Sequence, residues 1–392
     1  MRIGIMWKNT GTTALAFAVS FAVALGLPST ALAGSPEFAY TAEKWASLRD
    51  DQLEFDEIAD LVHEYNNTVI QNQIDFKEYK DKDKDDISDE YYDAAQDILN
   101  NLEYPDSDEA GFASRLSSYL NSKVQVDNLM EKGDNNVDDG EIKKLGYDKT
   151  EAGLVKSAQQ QMISYWKQVY SLESLEASLE QAKLSCQSVE IKLAAGMATQ
   201  AQLLQAQDAV SSAEAAIVSA RSSADKTKES LCLMLGWTYG APVTVGELPE
   251  PETERIEAVD LDTDVALALE NSYSLKSLQR QAANAAYGST RDKLEQSLKS
   301  QRESAANGVK NAYRSMLLAR DSYSQAQQAF ALAQDNMRAA QNRMDAGTIT
   351  PNEYRKQQLS YISAETSVKT SRLDLLNAQV EYDWAVNGLA GA

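Results

Sequence analysis

The sequence holds few of the residue types on which catalytic sites and disulfide-stabilised domains depend. Among 392 residues there are two cysteines, one histidine, 18 glycines and seven prolines. Scarce glycine and proline favour long helices over a sheet-based core. The single histidine, His63, is expected on the surface of a helix. No nucleophile elbow, phosphate-binding loop or metal-ligand spacing occurs, so the sequence predicts no enzyme, no catalytic residue, no metal and no cofactor.

Positive charge is scarce as well. The formal net charge is −22, which argues against a nucleic-acid partner, because such proteins concentrate Lys and Arg on one surface. Residues 81–141 carry 18 acidic and five basic side chains, and thus more than half of this charge. We predict an acidic insertion here, with helices over 91–102 and 112–130 and solvated loops between them.

The acidic run at 134–140 alternates Asp and Asn as a calcium-binding loop does. Its glycine stands at the seventh loop position instead of the sixth, and Leu145 occupies the twelfth, where a bidentate Glu is needed. The sequence therefore favours a solvated loop over a calcium site.

Long apolar runs are confined to the N-terminus. Residues 1–33 have the features of a secretory signal: Arg2 and Lys8, an apolar stretch over 13–27, and the small-residue motif Ala31-Leu-Ala33 before Gly34. This apolar stretch is shorter than the roughly 20 residues of a spanning helix. Cleavage before Gly34 is therefore favoured over an uncleaved anchor. No later run is long and uncharged enough to predict a transmembrane helix.

The two cysteines, Cys186 and Cys232, would meet an oxidising compartment after export. In a helical hairpin that turns at Gly196 they would differ in height by about 39 Å, far beyond the reach of a disulfide. We predict that both are unpaired packing residues.

Two turns between helices share the same capping residues. Each has a glycine suited to a left-handed C-terminal cap, then a threonine that can cap the next helix, then Gln or Glu to complete a capping box. These residues are Gly196, Thr199 and Gln202 in the first turn, and Gly347, Thr350 and Glu353 in the second. Pro351 also suits a first helical position.

Heptad patterns of apolar residues flank both turns, over 155–236 and 303–389. A repeat of 3.5 residues keeps an apolar seam facing its partner when helices supercoil. The sequence thus predicts an all-α fold of two tandem long antiparallel coiled-coil hairpins with short accessory helices. Such rods have little globular core, so further pairing between hairpins or between subunits is expected.

The order of segments indicates an internal duplication. We divide the chain into a signal peptide (1–33), a first half (34–241) with the acidic insertion (81–141), a linker (242–258) and a second half (259–392). One amphipathic helix is predicted over 53–79, and a similar segment over 259–282 places Asn271 on Asn66. Pro249 and Pro251 disfavour helix in the linker.

These motifs in this order resemble the TolC-like outer-membrane efflux proteins. The residues that carry the resemblance are Ala195-Gly196-Met-Ala-Thr199, Leu204-Gln-Ala206, Leu231-Cys-Leu-Met-Leu-Gly236, Asn271-Ser-Tyr-Ser-Leu275 and Asp345-Ala-Gly347-Thr-Ile-Thr350. It covers nearly the whole mature chain except the acidic insertion.

The resemblance implies a homotrimer whose hairpins form a hollow helical barrel. It also implies that the two turns form a tip that docks a periplasmic adaptor (membrane fusion) protein of a tripartite exporter with an inner-membrane transporter. The implied tip residues are Gly196, Met197, Thr199, Gly347, Thr348, Ile349 and Thr350. Helix capping alone would also explain the glycines and threonines.

The sequence departs from the family in one respect. The family has a β-hairpin between the accessory and heptad helices of each half, which contributes to a membrane barrel. Residues 278–308 show no ten-residue alternation of apolar and polar side chains, and the first half has only the acidic insertion there. With no transmembrane strands evident, we expect a barrel-less homologue in the cell envelope outside the cytoplasmic membrane.

The alternative function is that of a secreted coiled-coil spacer of the envelope that conducts nothing. Heptad patterns serve hollow barrels and closed bundles alike, so the sequence leaves both open. A failure to trimerise, even with the adaptor present, would favour the spacer.

Overall fold

A computed structural model of the chain describes residues 35, 38–108, 110–286 and 288–391. The predicted signal peptide lies outside the described residues. Four long helices make up most of the described chain: α6 (Gly140–Ala194), α7 (Gln200–Met234), α11 (Ser289–Asp345) and α12 (Pro351–Trp384). No helix in the described part of the chain is long and apolar enough to cross a membrane.

The accessory elements lie before and between the long helices. The short helices are α1 (Ala42–Leu48), α2 (Ile58–Tyr65), α3 (Asn67–Tyr79), α4 (Lys84–Asn100), α5 (Phe112–Asp134), α8 (Thr253–Glu257), α9 (Leu261–Asn271) and α10 (Tyr273–Asn284). Two strands of two residues each, β1 (Gln52–Leu53) and β2 (Thr244–Val245), pair in parallel. Helix α8 lies within the linker that was expected to be non-helical, where it begins two residues after Pro251.

The long helices form the two predicted hairpins and lie side by side. Helix α6 packs along α7, α11 packs along α12, and α6 also packs along α12. Their lateral order is therefore α7, α6, α12, α11, with α7 and α11 in the outer positions. The predicted fold class, two tandem antiparallel helical hairpins with accessory helices, is confirmed.

Apolar burial is concentrated at the base of the hairpins, the end remote from the two turns. One cluster joins α2 to α6 and α7 through residues that include Leu61, Met162 and Leu231. A second joins α9 to α11 and α12. A third holds the halves together and consists of Ile163, Leu373, Leu376 and Val380.

Towards the turns the core thins out. Between Ile163 and the end of α6, Cys186 is the one residue of that helix that is fully buried. Cys186 and Cys232 are both buried and both free, as predicted. Ion pairs join α6 to α12 along this part, including Glu173 with Lys369 at 2.9 Å. Exposed pairs of this kind contribute about 0–1 kcal/mol each.

The single helix predicted over 53–79 is wrong, because Asn66 divides it. Asn66 has an extended backbone with ψ of 122° and separates α2 from α3. Its Oδ1 accepts hydrogen bonds from the backbone N–H groups of Thr68 (2.9 Å) and Val69 (3.3 Å). A short amide side chain offers its own backbone this alternative to a continuous helix.

The same asparagine holds the base of the first hairpin. Its Nδ2 donates to the backbone carbonyl of Met234, the last residue of α7, at 2.8 Å. Two residues further on, Gly236 turns the chain with φ of +92° and closes against Tyr65. We call this arrangement, an asparagine amide on the end of the returning helix followed by a left-handed glycine, the base clasp.

The second half repeats the base clasp with different residues. Asn271 donates its Nδ2 hydrogen to the carbonyl of Val386 at 3.3 Å, and Ser272 takes over the capping of the next helix. Gly388 again follows two residues later, with φ of +107°. It lies 41 residues after Gly347, whereas Gly236 lies 40 after Gly196. The π-helical turn Ala385–Leu389 accommodates the additional residue.

The acidic insertion is more helical than predicted. Helix α4 begins at Lys84 instead of residue 91, because Asp83 and Asp86 form a capping box at its N-terminus. Acidic side chains there interact favourably with the helix dipole, so part of the expected loop is helix. Helices α4 and α5 then pack on each other as a helical hairpin.

The segment with the calcium-like pattern serves instead as an anchor. Asp139 is buried, caps α6, and accepts hydrogen bonds from Arg280 (2.6 Å) and Asn284 (2.7 Å) of α10. Burial alone would raise the pKa of Asp139, but these hydrogen bonds outweigh it and hold the pKa below its ordinary value. Within the described ranges, no group of three or more His, Cys, Asp or Glu side chains could hold a metal ion.

The clasp glycine should tolerate substitution less well than the turn glycine. Both Gly236 and Gly196 have positive φ, so alanine at either costs about 1–2 kcal/mol in backbone conformation. A Cβ at Gly236 would also lie 2.3 Å from the Cβ of Tyr65, whereas at Gly196 it meets no atom within 4 Å. Urea unfolding should show at least twice the loss for Gly236→Ala. Equal losses would contradict the close approach in the clasp.

His63 should make stability depend on pH. Expected to be a simple surface residue, it is partly buried and its Nδ1 lies 2.8 Å from Oε1 of Glu151 on α6. The hydrogen bond with Glu151 raises the pKa of His63. Its stabilisation is therefore complete below the unfolded pKa of about 6.5 and is lost as pH rises through the higher folded pKa.

The test compares the free energy of unfolding of the wild type and His63→Gln at several pH values. The difference should reach up to about 1 kcal/mol near pH 5.5, since both side chains are partly exposed, and should shrink above the folded pKa. In a Glu151→Gln background the loss of this difference with rising pH should be much smaller, because the largest cause of the raised His63 pKa is gone. A difference that grows with pH would contradict the assigned pair.

Candidate functional site

The two turns at the hairpin tips have the same backbone geometry. In the first, Gly196 has φ of +69°, its N–H donates to Leu193 (3.0 Å), and that of Met197 donates to Lys192 (2.7 Å). In the second, Gly347 has φ of +70°, and the corresponding bonds are Gly347 to Met344 (3.0 Å) and Thr348 to Arg343 (2.8 Å). Both helices thus end in a Schellman motif, as the glycines predicted.

Both predicted capping boxes are present beyond these turns. The Thr199 hydroxyl accepts from the N–H of Gln202 at 3.3 Å, and the Gln202 side chain accepts from the N–H of Thr199 at 2.8 Å. Thr350 and Glu353 repeat the pattern, with Pro351 in the first turn of α12. Hydrogen bonds from the Thr350 backbone N–H and hydroxyl lower the pKa of Glu353.

Six of the seven tip residues are exposed. Met197 is 73% exposed, an unusual setting for a large apolar side chain. A Cβ added at Gly196 or Gly347 would meet nothing within 4 Å, so backbone conformation alone accounts for the glycines. Thr348 is exposed, whereas Ile349 is partly covered. The structure places all seven predicted tip residues in these two turns; their docking role stays a prediction.

A serine stripe that the sequence analysis missed follows the length of α6. Every seventh residue is serine, at Ser157, Ser164, Ser171, Ser178 and Ser185. Residues at this spacing share one side of a supercoiled helix. The seven-residue spacing of these serines is visible in the sequence. The heptad pattern of apolar residues alone does not reveal it.

A groove shows which side of the four-helix layer this stripe occupies. Ser164 and Ser171 line it together with Ala220 and Ser223 of α7 and Asp374 and Asn377 of α12. Positions seven and fourteen residues before Asp374 and Asn377 on α12 are Ser367, Ser360, Thr370 and Ser363. We call this side of the layer, rich in small hydroxyl side chains, the serine face.

The opposite side is covered at the base by the linker. Trp166, two residues and thus about 200° around the helix from Ser164, donates its indole N–H to the carbonyl of Gly246 at 2.9 Å. On α12, Arg372 pairs with Glu250, and Gln379 exchanges hydrogen bonds with the backbone of Glu252. We call this side the belt face.

The outer helices α7 and α11 carry exposed leucine and valine side chains on their free sides. Leu204 (53% exposed) and Val218 (68%) lie on α7, and Leu318 (68%) and Leu332 (63%) lie on α11. Each pair is 14 residues apart, two heptads, so its members share a side of their helix. The layer therefore has two open edges with apolar groups at regular spacing.

The fold of this chain consists of two long helical hairpins with capped tips and a shared base. Several solved structures have the same fold. A membrane protein from Pseudomonas aeruginosa matches with a TM-score of 0.55 and 12% identity, over 86% of this chain and 91% of that chain. The outer-membrane channel OprN matches with a TM-score of 0.53 and 11% identity, over 93% and 96%.

The Campylobacter jejuni CmeC outer membrane channel has the same fold, with a TM-score of 0.51, 10% identity and 91% of each chain covered. The resemblance in fold to the TolC-like proteins, predicted from the tip and heptad motifs, is therefore confirmed. Comparison with family models and with curated protein sequences gives no match. At these identities the likeness extends to the fold.

Proposed function

We propose that this chain is an exported TolC-like component of a tripartite-type efflux or secretion system, placed in the cell envelope outside the cytoplasmic membrane. The observation that carries the proposal is the open order of the long helices, α7, α6, α12, α11, with two unfilled edges. Of the three solved structures compared above, two are described as outer-membrane channels. None of the residues discussed above forms a catalytic constellation that would favour an enzyme.

The open edges support assembly of several copies into a ring. Exposed apolar side chains such as Val218 on α7 and Leu332 on α11 would be buried if the α7 edge of one copy met the α11 edge of the next. Two different surfaces then meet at each contact, and repetition of such a contact closes a ring when the rotation fits. A homotrimer is the assembly that the family resemblance implies.

The serine face is the proposed inner wall of that ring. The linker covers the other face at the base, where it contacts Trp166 of α6 and Arg372 of α12, so the belt face is assigned to the outside. Small hydroxyl side chains leave space and bind water without a strong field of either sign. A wall of this kind would suit hydrated cargo and would select weakly by charge.

The tip is the proposed docking surface for an adaptor protein and, through it, an inner-membrane transporter. Its two turns are exposed, have matching geometry, and present Met197 and Thr348 to solvent. Capping fixes the shape of each turn, so a partner would meet a preformed surface and lose little entropy on binding.

Cysteine cross-linking tests the edge contact. Ala215 of α7 and Gln328 of α11 are exposed, and each lies 19 residues from the glycine of its own tip. The double variant Ala215→Cys with Gln328→Cys, treated with a short bismaleimide, should give covalent dimers and trimers on denaturing gels. The native cysteines are buried and should react little.

Each single variant is the matched control. An edge contact between unlike surfaces predicts no ladder from Ala215→Cys alone or Gln328→Cys alone. Cross-linking of one single variant to itself would indicate a two-fold dimer instead. A monomer that yields no ladder even with the adaptor present would favour the non-conducting spacer.

The docking role is tested with photo-cross-linkers attached at cysteines in Met197→Cys and Thr348→Cys, in cells that make the native partners. Mass spectrometry of the products should identify an adaptor-type protein from both positions. The same reagent at Ala215→Cys, remote from the tip, is the control and should not capture it. Recovery of cell-wall components alone from the tip would contradict docking.

A further inference from the structure

The contact between the two halves of the chain gives a template for the contact between copies. Both tips have the same turn and capping box, and their glycines, Gly196 and Gly347, are 151 residues apart. Because the helices that leave these tips are continuous, each residue of α6 corresponds to the residue of α11 that lies 151 positions later. Helices α7 and α12 correspond in the same way, and we call such residues counterparts. Helix α6 packs on α12 within the chain, so the equivalent contact joins α11 of one copy to α7 of the next.

The exposed apolar side chains of the outer helices support this correspondence, because their counterparts lie in the contact between the halves. Lys167 and Lys369 form ion pairs across that contact. Gln181 and Arg355 line one groove between α6 and α12. Apolar groups on the two open edges thus lie where a neighbouring copy would cover them. The counterparts are Leu318 for Lys167, Leu332 for Gln181, Val218 for Lys369 and Leu204 for Arg355.

One part of the contact has different chemistry in the two cases. Within the chain, Ile163 of α6 belongs to the same buried cluster as Leu376 and Val380 of α12. In that order, the counterparts of these three residues are Arg314 on α11 and Asp225 and Glu229 on α7. An apolar cluster between the halves therefore corresponds to one cation and two carboxylates between copies.

These charged side chains are accessible to a neighbouring copy. Arg314 and Asp225 are exposed, and Glu229 is partly exposed. Lys226 lies in the same turn of α7, but its counterpart Asn377 lines the groove of the serine face, so Lys226 is assigned to that side. In the contact between copies, the cation of α11 thus faces the two carboxylates of α7.

We propose that Arg314 of each copy binds Asp225 and Glu229 of the next copy, an inference that rests on the proposed ring. A guanidinium group presents several N–H donors in a fixed fork that suits carboxylates. The charges also select the partner surface, because two α7 edges or two α11 edges would bring like charges together. The halves of one chain are therefore joined at this level by apolar burial, whereas copies are joined by a contact that salt weakens.

Charge reversal tests the pair in the chain that carries the cross-linking cysteines Ala215→Cys and Gln328→Cys. Adding Arg314→Glu places carboxylates against each other and should lower the yield of covalent trimer by about tenfold or more. Adding Asp225→Arg as well re-forms an attractive pair with the charges exchanged. This second change should restore most of the lost yield.

Lys356→Glu is the matched control. It makes the same change of charge at an exposed residue of α12, three heptads before Asn377 on the serine face, and should leave the yield unchanged. An unchanged yield in Arg314→Glu would overturn the pair and leave the ring in place. So would a loss that Asp225→Arg does not restore. If the parent chain gives no ladder, the ring and the pair both fall.

Salt dependence provides a second measurement. Raising the salt concentration from about 0.1 M to about 1 M shortens the Debye length from about 10 Å to about 3 Å, so the trimer yield of the parent chain should fall several-fold. The variant Arg314→Ile with Asp225→Leu copies the counterparts Ile163 and Leu376 into the contact between copies. Its yield should stay constant or rise with salt, because apolar burial is not screened. Equal salt sensitivity of the parent chain and this variant would contradict the proposed pair.

Discussion

The base clasp is the constraint on which the two hairpins depend. An asparagine amide, from Asn66 or Asn271, holds the last turn of the returning helix against the accessory helices of its own half. A left-handed glycine then lets the chain leave without a clash. With both ends of each hairpin defined, at the clasp and at the capped tip, the long helices between them need little core of their own.

The distribution of apolar residues follows from this arrangement. Three buried clusters occupy the base, and burial thins towards the tip, where ion pairs and small side chains predominate. The layer of four helices is left with two free edges, a hydroxyl-rich face, and a face that the linker covers at the base. The two unfilled edges of the layer expose apolar surface that further copies of the chain could cover. This favours assembly and supports the proposed ring.

The sequence specified the features set by local chemistry and periodicity. Glycine and threonine fixed both tips, and the heptads fixed the four long helices, because these signals act within a few residues. The break at Asn66 was missed because a capping asparagine inside an apolar pattern looks like a helical residue. The clasp bond from Asn66 to Met234 joins residues distant in sequence, and no local pattern encodes such a contact. The lateral order of the helices also depends on contacts between residues distant in sequence, so no local pattern predicts it. The serine stripe, in contrast, is a local seven-residue repeat and could have been predicted.

In the proposed assembly, copies of this open layer close around the serine face. Electron microscopy of the purified, unlabelled protein tests it most directly, through averaged images viewed along the long axis of the particle. We expect a ring of helices around an open centre, with the linker as density on its outer rim. A filled bundle, or a single layer of four helices with no further copies, would contradict it.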